Sequence, residues 1–175
     1  NACLADVCYT ANTGRNHFEH RGVLVFTSAE RLREQLTALA ANGAADGLYV
    51  GGGKRGGAKP KVGVLFTGQG AQYSGMGRGL YEKEPVYREH FDRCATELAR
   101  LRPGEPDLRD VVFGDGDPAL LDQTAYTQPA LYALEASLVA LWRTWGVEPD
   151  IVLGHSVVEY AASFAADVFD LEAGL

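Results

Sequence analysis

The sequence has few cysteines and no spacing that would pair them. Its 175 residues contain three, Cys3, Cys8 and Cys94, an odd number without a C-x-x-C pattern. Disulfide frameworks and zinc sites normally need paired or closely spaced cysteines. We therefore expect reduced thiols, a cytoplasmic location and no metal site.

Long apolar runs and excess positive charge are also missing. The longest apolar stretch, Ala130 to Leu141, is interrupted by Glu135, whereas a membrane span needs about 20 apolar residues. The formal net charge is −7, while nucleic-acid binding favours basic surfaces. Neither a membrane nor a nucleic acid is expected as a partner.

An initiating methionine and a basic-then-apolar leader are absent too. The chain begins with Asn1 and stops within DLEAGL, residues 170–175, which is typical of the opening of a helix. Both ends predict that the chain is a piece of a longer protein. We expect a parallel sheet that is only partly contained in the chain to leave apolar surface uncovered.

Charge and glycine divide the chain into parts. Residues 1–61 carry a net charge of +3, and residues 62–175 carry −10. Residues 51–61, GGGKRGGAKPK, hold five glycines and four basic side chains, a composition typical of a flexible tether. We predict a small unit over 1–50, a tether over 51–61 and a second domain from 62 to 175.

The first unit is predicted to alternate helices and strands. Helical spacing covers residues 2–12 and 28–42, with RGVLVFTS and GLYVG as strands. Ser28 is placed to cap the second helix, and Gly43 is placed to end it in the left-handed conformation.

The second domain alternates apolar strands with helices, which predicts an α/β fold with a parallel sheet covered on both faces. Ligands of such sheets bind beyond the carboxyl ends of the strands. Residues 61–72 are predicted as a strand that breaks into a glycine-rich turn, and residues 149–156 as a second strand. The predicted helices are 76–102 with a break near Pro85, 129–146 opening at Pro129, and 157–168.

A serine stands where the last of these strands gives way to a helix. IVLGHSVVEY, residues 151–160, resembles the nucleophile elbow G-x-S-x-G except that Val158 replaces the final glycine. Acyl transfer needs fixed donors for an oxyanion. The N–H of Val157 and one from the GQG turn around Gln69 are candidates. A structural helix cap is the alternative role for Ser156.

Several ordered motifs resemble the acyltransferase region of type I modular polyketide synthases. They are DVCYTANTGRNHFEHR (6–21), FTGQGAQYSGMG (66–77), YTQPALYALEASLVALWRTWGVEPD (126–150), LGHS (153–156) and EYAA (159–162). The first resembles the segment that follows the ketosynthase. The resemblance implies a ketosynthase–acyltransferase linker, then part of an α/β-hydrolase-like acyltransferase core.

The resemblance also implies a role for each matching residue. Ser156 would take malonyl from malonyl-CoA as an ester and pass it to the phosphopantetheine thiol of an acyl carrier protein. Gln69 and Val157 would form the oxyanion hole. Gln128 would line the substrate pocket, and His155 would support it without acting as the base. An adjacent ketosynthase is the further partner, and no cofactor is needed.

QTAYTQ (123–128) and Val157 resemble malonyl-selecting members. Two residues depart from the family, since Val158 and Asp167 stand where glycine is usual. The isopropyl group of Val158 is expected to crowd the elbow. The family's catalytic histidine and carboxylate-binding arginine lie downstream of the matched motifs.

None of the histidines His17, His20 and His90 has the sequence context expected of a general base. We therefore expect the 175-residue chain to be inactive by itself.

Two other functions remain open at this point. A serine esterase of α/β-hydrolase type shares the elbow and the parallel sheet, but the GQG turn and the TQPA helix fit an acyltransferase better. A non-catalytic linker and scaffold fragment of a megasynthase would explain the αβ unit, the tether and the missing base.

Overall fold

The computed structural model describes residues 3–52, 60–114 and 117–175. The chain forms two compact units, Asn1–Lys59 and Pro60–Leu175. Most of the predicted tether lies outside the described residues, but Gly51 and Gly52 belong to a strand. The predicted start of the tether was therefore wrong, because backbone pairing continues through these two glycines.

The first unit has the predicted order of helix, strand, helix and strand. Its strands pair antiparallel, from Leu24 opposite Leu48 to His20 opposite Gly52. The elements are α1 (Leu4–Thr13), β1 (His20–Leu24), α2 (Ala29–Ala40) and β2 (Leu48–Gly52).

Helix α2 has a side-chain cap at one end and a left-handed residue at the other. The hydroxyl of Ser28 accepts a hydrogen bond from the Arg31 N–H at 3.2 Å, so the predicted cap is confirmed. The predicted stop at Gly43 is wrong, because Asn42 takes the left-handed conformation with φ +52°. Asparagine tolerates this conformation, and the Gly43 N–H completes the motif by donating to the Ala38 carbonyl at 2.8 Å.

The second unit is a helical layer against a small parallel sheet, an α/β arrangement. Its strands pair in parallel, with Leu65 opposite Leu153. Its elements are β3 (Gly63–Leu65), α3 (Arg78–Lys83), α4 (Pro85–Leu101), α5 (Leu108–Phe113), α6 (Thr124–Thr144), β4 (Ile151–Leu153) and α7 (Glu159–Ala165), with short 3₁₀ turns at Pro118–Leu120, Ser156–Val158 and Glu172–Gly174.

The sheet is not covered on both faces, so that prediction was wrong for the described residues. Leu65 is 74% exposed and Leu153 is 61% exposed, whereas Val64 and Val152 are half-buried. Two short strands bury one face only, since alternate side chains point to opposite sides.

The hydrophobic core lies between α4 and α6. Tyr87, Phe91 and Cys94 of α4 are fully buried in it. Helix α3 ends at Lys83 and α4 begins at Pro85, which confirms the predicted break; proline suits the first helical position because its missing N–H is not needed there.

Helix α6 begins five residues before the predicted start, at Thr124. Pro129 therefore lies inside the helix, where it cannot donate to the carbonyl four residues earlier. Arg102 supplies that hydrogen bond to Ala125 instead, at 2.8 Å. The predicted helix start at Pro129 was wrong because the side chain of Arg102, which is distant in sequence, replaces the missing main-chain donor.

Within the described part of the chain, no helix is both long enough and apolar enough to cross a membrane.

Candidate active site

Ser156 lies on the turn that joins β4 to α7. Its side chain is exposed, and its backbone is left-handed, with φ +60°. Non-glycine residues rarely adopt this conformation, and such strain concentrates at functional sites. The strand, the strained serine and the following helix reproduce the nucleophile-elbow geometry that the sequence predicts.

Gly154 makes this turn possible by letting two backbones approach closely. A Cβ atom at this position would lie 2.6 Å from the Val158 carbonyl oxygen and 2.9 Å from the Glu159 Cα. No real side chain sits at such distances, so the elbow requires glycine here.

Val158 does not need to be glycine for conformational reasons. Its φ is −84° and its ψ is 1°, and a negative φ does not call for glycine. Its side chain is only 2% exposed. The close approach in this elbow thus involves Gly154 and the backbone of Val158. Crowding by the isopropyl group stays a prediction.

The GQG turn leaves the sheet at the same end as the serine. Phe66 N–H donates to the Leu153 carbonyl at 3.0 Å, and the turn containing Gln69 begins two residues later. Gly70 has φ +109°, which favours glycine, and its N–H donates to Gln72 Oε1 at 2.8 Å. Parallel pairing of β3 and β4 therefore directs Gln69 and Ser156 to one edge of the sheet.

A buried carboxylate holds the start of this turn. Oε1 of Glu135 accepts hydrogen bonds from the Thr67 N–H at 2.8 Å and from the Thr67 hydroxyl at 3.1 Å. Burial raises the pKa of Glu135 to about 7, and the two hydrogen bonds from Thr67 oppose that rise. Sequence reasoning recorded Glu135 only as an interruption of an apolar run, although a lone carboxylate there was a usable signal.

Gln128 and Val157 line one cavity of about 350 Å³, together with Arg102 and Tyr160. Its mixed polar and apolar wall suits a short acyl chain with a polar end. Gln69, His155 and Ser156 are not among the described residues that line it. His155 is exposed beside the serine. Arg102 was not singled out from sequence, because only the fold brings it to Gln128.

The remaining histidines lie on other elements. His90 is in α4, and its Nδ1 lies 2.9 Å from the Val86 carbonyl oxygen one turn earlier. His17 and His20 belong to the first unit. Among the described residues, no cluster of three His, Cys, Asp or Glu side chains could hold a metal ion.

Asp167 follows α7 in the left-handed conformation, with φ +55°. The position therefore has the geometry for which glycine is favoured. Arg143 donates to the Asp167 carboxylate at 3.1 Å and to the Ala165 carbonyl at 2.9 Å, which secures the end of the helix.

A strained, exposed serine at a strand end, with a second strand-end turn at the same edge of an α/β sheet, is an arrangement found in enzymes that transfer or hydrolyse acyl groups through a serine. Comparison with known proteins identifies which kind. The family model described as "Acyl transferase domain" matches residues 64–175, and "CurL-like, PKS C-terminal" matches residues 1–36. The chain belongs to the acyl transferase domain family of type I modular polyketide synthases.

Individual relatives agree with this assignment. Polyketide synthase GfsA of Streptomyces halstedii is 44% identical over 95% of this chain, which spans 2% of that protein. The acyl transferase domain of ZmaA is 32% identical with a TM-score of 0.85, over 99% of this chain and 39% of that one. The malonyl CoA-acyl carrier protein transacylase of Clostridium perfringens is 32% identical with a TM-score of 0.58, over 66% of this chain and 34% of that one.

Proposed function

We propose that Ser156 carries malonyl from malonyl-CoA to the phosphopantetheine thiol of an acyl carrier protein. The observation that carries the proposal is the exposed serine with φ +60° at the carboxyl end of β4. Such a position presents a hydroxyl to a substrate above the sheet.

The chemistry runs in two balanced steps. Ser156 Oγ attacks the thioester carbonyl carbon, the C–S bond breaks, and the hydroxyl proton leaves with coenzyme A as its thiol. The carrier thiol then attacks the seryl ester, the C–O bond breaks, and the serine regains a proton. Each step passes through an oxyanion, and the backbone N–H groups of Gln69 and Val157 are its proposed donors.

Malonyl is the proposed acyl group. QTAYTQ (123–128) and Val157 resemble malonyl-selecting family members, and the Clostridium perfringens relative is named for malonyl transfer. Gln128 and Val157 share one cavity, which supports a role for both in holding the acyl group. His155 is assigned a supporting role beside the pocket.

The proposed partners are an acyl carrier protein and a ketosynthase. The match of residues 1–36 to a polyketide synthase C-terminal model supports a ketosynthase as neighbour. The carrier brings its own phosphopantetheine, so the proposed reaction uses no cofactor held by this chain.

A general base must come from outside the described histidines. His90 is engaged with its own helix through Val86, and His155, which directly precedes the nucleophile, is exposed and is assigned a supporting role. We therefore expect the 175-residue chain to turn over slowly or not at all by itself, since an unactivated serine is a weak nucleophile.

Intact-mass spectrometry tests the proposal. The chain is mixed with malonyl-CoA, alone and together with the rest of the acyltransferase domain of a relative. An adduct of malonyl mass that maps to Ser156 and is lost in S156A supports it. Hydrolysis of simple esters without an adduct would indicate an esterase instead. If the combined sample shows neither the malonyl adduct nor ester hydrolysis, the scaffold role is the remaining candidate.

A further inference from the structure

Glu135 lies in the middle of α6 and is only 5% exposed. A buried carboxylate is costly unless it is hydrogen-bonded. Oε1 of Glu135 accepts both hydrogen bonds that Thr67 can donate, from the main chain at 2.8 Å and from the side chain at 3.1 Å. The helix is thereby tied to the residue that follows β3.

Thr67 is the point at which the chain leaves the sheet. The Phe66 N–H makes the last backbone bond to β4, at the Leu153 carbonyl. The next N–H, that of Thr67, donates to Glu135 instead of to a strand. Glu135 therefore fixes the direction in which the chain departs, and the turn holding Gln69 begins at the following residue.

The other carboxylate oxygen faces a different environment. Oε2 of Glu135 is buried without a hydrogen-bond partner among the described residues. Beside it lies a cavity of about 460 Å³, whose other lining residues are Thr67 and apolar side chains that include Phe66 and Trp142. Apart from Glu135, none of the described residues lining the cavity is titratable. Burial raises the pKa of Glu135 to about 7, against the opposing effect of the two hydrogen bonds from Thr67.

We propose that Glu135 is a positioning residue for acyl transfer, which acts through Thr67 to hold the Gln69 backbone N–H in its oxyanion-binding place. The inference rests on the proposed function for its catalytic meaning. Its structural part, the coupling from Glu135 through Thr67 to Gln69, can be tested without any reaction. A charged carboxylate is a stronger acceptor than a neutral one, so the proton on Glu135 changes how firmly the turn is held.

The test follows the backbone amides of Thr67 and Gln69 by ¹H–¹⁵N NMR between pH 5.5 and 8.0. In the wild-type chain we expect both resonances to move with one midpoint near 7. In E135Q both movements should be absent. E89Q, which removes a carboxylate from an exposed position of α4, should titrate as the wild type does.

A Thr67 resonance that does not titrate, or one that titrates unchanged in E135Q, would overturn the proposal. So would a Gln69 resonance that ignores the Thr67 transition, because the coupling would then stop before the oxyanion donor. The wild-type titration decides these points even if E135Q fails to fold. Failure of the proposed function gives a separate result, namely no Ser156 adduct while both amides still titrate.

Discussion

The guanidinium of Arg102 donates a hydrogen bond of 2.8 Å to the carbonyl oxygen of Ala125, the acceptor that Pro129 leaves without its helical partner. The same guanidinium lies over the Tyr126 ring, 5.2 Å from its centroid. Arg102 thus replaces a main-chain donor in the first turns of α6, next to Gln128 in the candidate pocket.

R102M should therefore lower the free energy of unfolding by about 1–2 kcal/mol, the cost of one hydrogen bond and a cation–π contact. P129A restores a main-chain N–H for the Ala125 carbonyl, so R102M should cost less in a P129A background. Urea denaturation of the four proteins of this double-mutant cycle measures the difference.

R100M is the matched control, because Arg100 is an exposed residue near the end of α4 that pairs with Glu97. It should change stability much less than R102M does, since surface ion pairs contribute little. Equal losses in R100M and R102M, or a cycle without coupling between Arg102 and Pro129, would contradict the assigned role.

The start of α6 shows what sequence reasoning could not supply. Proline at 129 correctly signals a helix, but its usual place is the first turn, and only the fold reveals that Arg102 lets the helix begin earlier. The same limit applies to Glu135. Its position in an apolar run is visible in the sequence, whereas its partner Thr67 lies 68 residues away.

Three predictions from local signals were confirmed. The cap at Ser28, the break at Pro85 and the strand-turn-helix around Ser156 each depend on a few neighbouring residues. Gly43 is the expected left-handed residue because glycine has no steric penalty there, yet Asn42 takes that conformation. Coverage of both sheet faces was predicted wrongly, because it depends on how many strands pair, whereas the expected uncovered apolar surface is present at Leu65 and Leu153.

Glu135 should make stability depend on pH. Its pKa in the folded chain is raised from 4.5 to about 7, so the folded state favours the neutral form. The stability from this group is fully present below pH 4.5 and is lost as the pH rises through 7. E135Q should therefore gain roughly 2–3 kcal/mol relative to wild type between pH 5 and pH 8.

Thermal or urea denaturation at the two pH values measures this gain. E89Q provides the control, because it removes the same charge from an exposed site and should show no comparable pH-dependent gain. A constant difference between E135Q and wild type at both pH values would mean that Glu135 does not titrate in this range.

The elbow should be intolerant of a side chain at Gly154. The Cβ of G154A would lie 2.6 Å from the Val158 carbonyl oxygen, and since both partners are backbone, strand and helix must separate. We expect a loss of about 2–3 kcal/mol in unfolding free energy, measured by urea denaturation. G63A is the control on the neighbouring strand, where an added Cβ meets nothing within 4 Å. Equal behaviour of the two variants would show that the close approach is not maintained in solution.

The left-handed backbone conformation of Ser156 should lower the free energy of unfolding. Its φ of +60° lies in a region where a residue with a Cβ atom is less stable than glycine by about 1–2 kcal/mol. S156G should therefore be more stable than S156A by about 1 kcal/mol, although both lack the hydroxyl and neither can be acylated. Urea denaturation gives this difference directly.

Ser74 offers the comparison, since it is exposed and does not have a positive φ. There the order should reverse, with S74G less stable than S74A, because glycine loses more backbone freedom on folding. If S156G were also less stable than S156A, the serine would not be held in the left-handed conformation. The elbow would then lack the strain that turns the hydroxyl of Ser156 outward from the end of β4.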